Sequence, residues 1–175
     1  MEIALSGGAF PYLEIAYVCA PNTSAQTVSS NTLATLTLDT IVQNTFANFT
    51  SGNLSGNVIT IPTGDIGTFY GELYAPIVDN TVGNGGAFNL YLNNATASDK
   101  KEIRGNSSFS SEGGWNKSKI SGQFKLTVSS ALSLQCLPTS IGTNLQVRNG
   151  TYNSIYSNST AGLDQRGTVK LWKIA

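Results

Sequence analysis

The chain has 175 residues, the size of a single domain, and its ten basic and ten acidic residues cancel at pH 7. It contains no histidine, which excludes Ser-His-Asp triads, histidine general bases and most zinc sites. Only 11% of the residues are charged while 40% are hydrophobic, which argues against nucleic-acid binding and against intrinsic disorder. Glycine, serine, threonine and asparagine are abundant, a composition typical of strands and turns. We therefore expect an all-β domain that is not an enzyme and uses no cofactor or metal.

The N-terminal residues 1–30 differ from the rest of the chain. They crowd apolar and aromatic side chains together, yet they lack a basic start and contain Glu2 and Glu14, so they do not read as a signal peptide. The chain has no run of ~18 apolar residues that would predict a membrane span. Two interpretations stay open: an extra strand packed on the domain, or an anchor segment that docks on a partner. The candidate anchor residues are Phe10, Tyr12, Leu13, Ile15 and Tyr17.

From about residue 31 onward the chain alternates short strand patterns with turn signals. The clearest alternation puts Ile120, Gly122, Phe124, Leu126 and Val128 on one face of a strand. The strand predicted at 67–77 alternates as well, with Phe69, Gly71, Leu73 and Ala75 on one face and Tyr70, Glu72, Tyr74 and Pro76 on the other. The segment 100–104 is the weakest strand candidate, and 79–87 and 105–118 are predicted to be surface loops. Many short strands without a helical period predict a β-sandwich or barrel. The predicted strands cover 35–44, 58–61, 67–77, 88–92, 100–104, 120–128, 132–137, 145–148 and 168–174.

Charge is unevenly distributed along the chain. Residues 1–99 hold seven acids and no Lys or Arg, and residues 100–175 hold all ten bases. Interleaved strands could mix these charges over one surface, or the two halves could pair electrostatically within or between subunits. Cys136 lies in an apolar run and is interpreted as a small core residue, while a bridge to Cys19 stays open.

Several segments carry a family resemblance. Residues 37–45 (TLDTIVQNT), 54–64 (LSGNVITIPTG), 67–76 (GTFYGELYAP), 121–127 (SGQFKLT) and 169–174 (VKLWKI) resemble the tumour-necrosis-factor-like jelly roll. That fold is shared with the complement globular head, and the version resembled here occurs on phage tail fibres and other virion appendages. The resemblance covers roughly residues 33–175. It implies a jelly-roll β-sandwich of about 8–10 antiparallel strands, trimeric, with residues 1–30 as the anchor or extra strand and 31–175 as the head.

The resemblance also implies a function. It predicts a non-enzymatic phage structural protein at the virion surface, made in the host cytoplasm, as a capsid knob, decoration or appendage. Its partners would be two further copies of itself and, through the N-terminal segment, capsid or tail proteins. In this family the carboxyl-terminal strand runs near the three-fold axis, so its apolar residues either contact other subunits or fill the core of one. The candidate trimer-interface residues are Val169, Leu171, Trp172 and Ile174.

Two alternative functions depend on aromatic residues in polar loops. A receptor-binding tail-fibre tip would contact a host surface glycan or protein, and a lectin-like domain would bind carbohydrate. Trp115 follows Gly113 and Gly114, where it could stack on a sugar or anchor a protein contact. It could equally fold back onto the sandwich. The candidate contact residues are Trp115, Tyr152 and Tyr156.

Overall fold

The computed structural model describes residues 9–17, 26–79, 86–109, 116–139, 145–147 and 167–175. These residues form thirteen β-strands and two single-turn 3-10 helices. Nine of the strands have four residues or more, which agrees with the number predicted. The strands are β1 Tyr12–Ala16, β2 Gln26–Val28, β3 Ala34–Thr35, β4 Thr40–Asn44, β5 Leu54–Ser55, β6 Val58–Ile61, β7 Gly67–Asp79, β8 Gly86–Asn94, β9 Lys100–Phe109, β10 Asn116–Leu126, β11 Ser130–Pro138, β12 Leu145–Val147 and β13 Thr168–Lys173. The 3-10 turns are Ser51–Asn53 and Thr63–Asp65.

The strands form two antiparallel sheets. The sheet around β7, here called the β7 sheet, has the order β2-β12-β7-β13-β1-β4, and β10 pairs with β7 as well. The second, the β11 sheet, has the order β5-β6-β11-β8-β9, and β3 pairs with β11. From β6 to β11 the chain crosses between the sheets four times: β7 and β10 lie in the β7 sheet, whereas β6, the hairpin β8–β9 and β11 lie in the β11 sheet. This connectivity is that of a jelly-roll sandwich, so the predicted fold class is confirmed.

The core lies between the two sheets, and strand alternation selects its members. On β7 the inward residues Phe69, Leu73 and Ala75 are fully buried, as the sequence pattern predicted. Phe69 stacks on Phe124 of β10, with ring centroids 5.3 Å apart. The remaining core contains Leu13, Ile15, Leu36, Leu38, Ile59, Ile61, Phe88, Leu90, Leu92, Ile103, Leu126, Leu132, Leu134, Cys136, Val169 and Leu171, among others.

Two glycines mark a place where the sheets approach closely. Gly71 of β7 and Gly122 of β10 lie directly opposite each other in the ladder. A Cβ built on Gly71 would lie 2.6 Å from Cδ1 of Ile103 and 3.2 Å from Cδ2 of Leu171. A Cβ on Gly122 would come no nearer than 3.5 Å to any atom, again of Ile103. Of these two glycines, Gly71 is therefore the one that lacks room for a side chain.

The structure corrects three local predictions. The predicted loop 105–118 is partly strand, because 105–109 and 116–118 extend β9 and β10 through backbone pairing that does not require apolar side chains. The weak strand candidate 100–104 is confirmed, as the first half of a ten-residue strand. Val128 lies beyond the end of β10 and is 56% exposed, so it is not part of the inward face.

The third correction concerns the predicted strand 35–44, which is divided. Thr35 pairs with β11 and Thr40 pairs with β1, so this segment crosses from one sheet to the other. Leu36 and Leu38 are buried on the way. Their alternation with polar residues comes from that crossing and not from one continuous strand.

Candidate functional site on the outer face of the β7 sheet

Three aromatic side chains form a row across the outer face of the β7 sheet. Tyr12 of β1 lies opposite Trp172 of β13, which in turn lies opposite Tyr70 of β7. The ring centroid of Trp172 is 4.9 Å from that of Tyr12 and 5.6 Å from that of Tyr70, in tilted geometry. All three residues keep part of their surface exposed. Their neighbours in the alternation, Leu13 and Leu171, point into the core, which is why the aromatics face outward.

A row of alternating charges runs beside the aromatic row. Glu14 lies opposite Lys170, and Lys170 lies opposite Glu72. The Lys170 ammonium is 3.7 Å from a Glu14 oxygen, and the Lys119 ammonium of β10 is 2.7 Å from Glu72. The side chains of Glu14 and Glu72 are only 13% and 14% exposed. The face therefore buries two carboxylates, each with a cation beside it.

Tyrosine hydroxyls join the two rows. The Tyr12 hydroxyl donates to Glu14 Oε2 over 2.5 Å, and the Tyr70 hydroxyl donates to Glu72 Oε1 over 3.2 Å. Burial and then the hydrogen bond to Glu14 raise the pKa of Tyr12, so its hydroxyl stays a donor. The hydrogen bond to Glu72 raises the pKa of Lys119. Side chains held in this way are preorganised for a contact because little conformational freedom is left to lose.

Tyr74 completes the face at its far end. The ammonium groups of Lys119 and Lys170 both lie 5.6 Å from the centre of its ring, one from each neighbouring strand. That distance is within the range of cation–π attraction. Together the residues Tyr12, Glu14, Tyr70, Glu72, Tyr74, Lys119, Lys170 and Trp172 are called the aromatic–charge face below.

The aromatic–charge face also bears on the uneven charge distribution. Glu14 and Glu72 come from the acidic first 99 residues, whereas Lys119 and Lys170 come from the basic remainder. Both ion pairs lie within one subunit. For these four residues, the two halves of the chain pair electrostatically within one subunit, on the outer face of the β7 sheet.

The four candidate trimer-interface residues divide between two environments. Val169 and Leu171 are 1% and 0% exposed, in the core of a single subunit. Trp172 and Ile174 keep part of their surface exposed. Alternation along β13 explains the division, and it leaves only Trp172 and Ile174 able to reach a neighbour.

The candidate anchor residues divide in a similar way. Leu13 and Ile15 are fully buried, and β1 is paired on both sides, with β13 and β4. Using them to dock on a partner would require β1 to leave the sheet. Phe10, ahead of β1, is 46% exposed, and Tyr12 and Tyr17 are partly exposed.

Other candidates lie outside the described residues or in the core. Trp115, Tyr152, Tyr156 and Cys19 are outside the described ranges, so the receptor and glycan contacts stay predictions. Cys136 is a free thiol in the core, and its burial raises its pKa to about 12. Within the described ranges, no group of three or more His, Cys, Asp and Glu side chains is arranged to hold a metal ion. None of the helices in those ranges has the length and apolarity to cross a membrane.

Sequence reasoning missed most of the aromatic–charge face. It noted Tyr70, Glu72 and Tyr74 as one side of a strand, but it named none of them as functional. It passed over Lys119 and Lys170 as well. The signal that could have found them is register: only the pairing of β1, β13, β7 and β10 shows that these residues are neighbours.

Comparisons with known proteins show the fold. No protein-family model matches the chain, and no curated protein sequence does. Among solved structures, murine APRIL at pH 5.0 matches with a TM-score of 0.50 and 9% sequence identity, over 94% of this chain and 99% of that one. The globular domain of zebrafish complement 1qA protein matches with a TM-score of 0.45 and 10% identity, over 95% and 98%. The chain therefore shares the jelly-roll fold of murine APRIL.

Proposed function

We propose that this protein is a non-enzymatic structural protein that assembles as a homotrimer through the aromatic–charge face. The observation that carries the proposal is the row of Tyr12, Trp172 and Tyr70, partly exposed side by side on one open sheet face. Tyrosine and tryptophan are enriched in protein–protein interfaces, because they bury much area at little entropic cost. The neighbouring carboxylates and ammonium groups would set the register of the contact.

The proposed site of action is the surface of a phage virion. The support is the sequence resemblance of residues 33–175 to the heads of virion appendages. The knob would present its loops outward and attach to a capsid or tail protein through the N-terminal segment. Phe10 is the described residue that best fits this attachment, since it precedes β1 and is 46% exposed.

Light scattering coupled to size exclusion tests the assembly. The subunit mass is 18.4 kDa, and we expect the wild type to run at three times that mass and to keep it on dilution. Trp172→Ala should lower the mass toward one subunit while the circular dichroism spectrum is retained. Val128→Ala is the matched control, because it removes an exposed apolar side chain that is not on the aromatic–charge face. A wild-type mass of one subunit would refute the trimer, and a trimeric Trp172→Ala would show that the contact lies elsewhere.

Deletion of residues 1–10 tests attachment. The truncated chain should stay folded and trimeric, because β1 is retained, and should lose binding to purified particles. Normal binding to particles would contradict the role proposed for Phe10 and the residues before it.

A further inference from the structure

A lysine, an asparagine and an aspartate form a chain of contacts on the outer face of the β11 sheet. Asn93 of β8 lies opposite Lys101 of β9 in the ladder. The Lys101 amine donates to Asn93 Oδ1 over 2.6 Å, and Asn93 Nδ2 donates to Asp99 Oδ1 over 3.0 Å. The amide orientation is fixed, because an ammonium can only donate and a carboxylate accepts. Asn93 is 2% exposed, so water has little access to this amide.

The surrounding residues hold the amine in place. Gln135 of β11 accepts a second hydrogen bond from the Lys101 amine, over 2.7 Å. The ring of Tyr91 lies on another side, 5.5 Å from the nitrogen to the ring centre. Lys101 is thereby confined between three strands, beside a carbonyl group.

The backbone that positions the acid is unusual. Ser98 and Asp99 both have positive φ, 55° and 60°, although neither is glycine. Residues other than glycine adopt this region at a cost, and such conformations often occur at functional sites. A break in the β8–β9 register between Leu92 and Asn93 lies in the same place. The positive φ values lie in the turn that brings Asp99 to the Asn93 amide, and the register break lies in the ladder next to that turn.

We propose that Lys101 and Asn93 form an intramolecular isopeptide bond, with Asp99 as the catalytic residue. A proton first moves from the Lys101 ammonium to the Asp99 carboxylate, which leaves a neutral amine. The amine nitrogen attacks Cγ of Asn93, so that a bond from Nζ to Cγ forms and the bond from Cγ to Nδ2 breaks. Asp99, in contact with Nδ2, supplies the proton that this nitrogen takes as it leaves as ammonia. The second proton that Nζ loses is carried by Asp99 to the departing ammonia, which leaves as ammonium and restores the carboxylate. Nothing is oxidised or reduced, and no further reactant is needed.

The neighbouring residues provide an internal comparison. Asn94 is also 2% exposed, and its Nδ2 donates to Glu102. Its Oδ1, however, accepts from the backbone nitrogen of Ala97 and not from an amine. Lys100, the adjacent lysine, instead pairs with Glu102. Of these two described asparagines, only Asn93 has both an amine and a carboxylate in contact with its amide. Groups already held together react without the entropic cost of being brought into contact.

Intact-mass measurement of the folded wild type tests the proposal. After prolonged incubation of the purified protein, we expect the mass to be lower than that of the sequence by one ammonia. Lys101→Arg and Asp99→Asn should each keep the sequence mass, and Lys100→Arg should lose ammonia like the wild type. Arg keeps the charge of Lys101 but is a poor nucleophile, and Asn keeps the shape of Asp99 without its carboxylate.

Tryptic digestion of the denatured protein locates the bond. Residues 1–99 contain no Lys or Arg, so Asn93 stays in one long N-terminal peptide. Trypsin does not cleave after an acylated lysine, so residues 102–104 should remain attached to that peptide. A folded wild type that keeps its sequence mass would overturn the proposal. So would a loss of ammonia that persists in Lys101→Arg, because cyclisation of an asparagine on its own backbone loses the same mass without needing the lysine.

Discussion

The pair Gly71 and Gly122 allows a test of how closely the two sheets are packed. Both glycines lie in strands directly opposite each other, and neither has a positive φ. A methyl group at Gly71 would meet Cδ1 of Ile103 at 2.6 Å and Cδ2 of Leu171 at 3.2 Å. The first distance is shorter than real Cβ contacts show, so Ile103 or the backbone has to move. At Gly122 the nearest atom is 3.5 Å away, an ordinary contact.

The two alanine substitutions are expected to affect the free energy of unfolding differently. Inserting a methyl group into a packed core costs about 1–3 kcal/mol, and replacing glycine by alanine returns about 0.4–1 kcal/mol by restricting the unfolded chain. Gly71→Ala should therefore lower the free energy of unfolding by about 1–2 kcal/mol. Gly122→Ala, which causes no overlap, should leave it unchanged or raise it by up to about 1 kcal/mol.

Urea unfolding at one fixed protein concentration measures both variants. Ile103→Val sharpens the test, because it removes the Cδ1 atom that a methyl at Gly71 would meet. Alone it should cost about 0.5–1.5 kcal/mol, but in Gly71→Ala it should cost less or even stabilise, giving a coupling of about 0.5 kcal/mol or more. Equal losses in the two glycine variants, or additivity in the double variant, would refute the close approach at Gly71.

The core and the buried thiol give the remaining predictions. Leu171→Ala should cost about 2–5 kcal/mol in urea unfolding because it leaves a cavity between the sheets; a loss as small as that of a surface substitution would contradict its burial. Cys136 should not react with an aromatic disulfide reagent until the protein unfolds, because burial raises its pKa from 9.0 to about 12. Its folded pKa lies above the unfolded one, so its contribution to stability is complete below about pH 9 and is lost progressively up to about pH 12. Cys136→Ala should reduce the loss of stability between about pH 9 and pH 12. A variant with the same pH profile of stability as the wild type would contradict the role of the buried thiol.

Alternation of apolar and polar residues within a strand was enough to predict core residues from the sequence. The alternation of Phe69, Leu73 and Ala75 is a local property of one strand, and the structure buries all three. Segment 35–44 shows the limit of the method, because a chain that crosses between sheets can bury Leu36 and Leu38 with the same spacing as a strand.

The aromatic–charge face depends on long-range pairing and could not be found this way. Tyr12 and Trp172 are 160 residues apart in sequence, yet they are register partners. Leu171 and Trp172 also look equally suited to an interface in a sequence. Only the strand's orientation shows that the first fills the core and the second faces outward.

The position of β13 has a consequence for the order of folding during synthesis. This strand lies between β7 and β1, and both of its edges are paired. Until β13 leaves the ribosome, β1 and β7 each have one unpaired edge, and β1 cannot take its final place in the sheet. A topology so rich in distant contacts folds slowly, since the chain must close long loops before those contacts stabilise it. Completion of the β7 sheet is therefore a late event. Before it, the unpaired edges of β1 and β7 are sites where incomplete chains can associate.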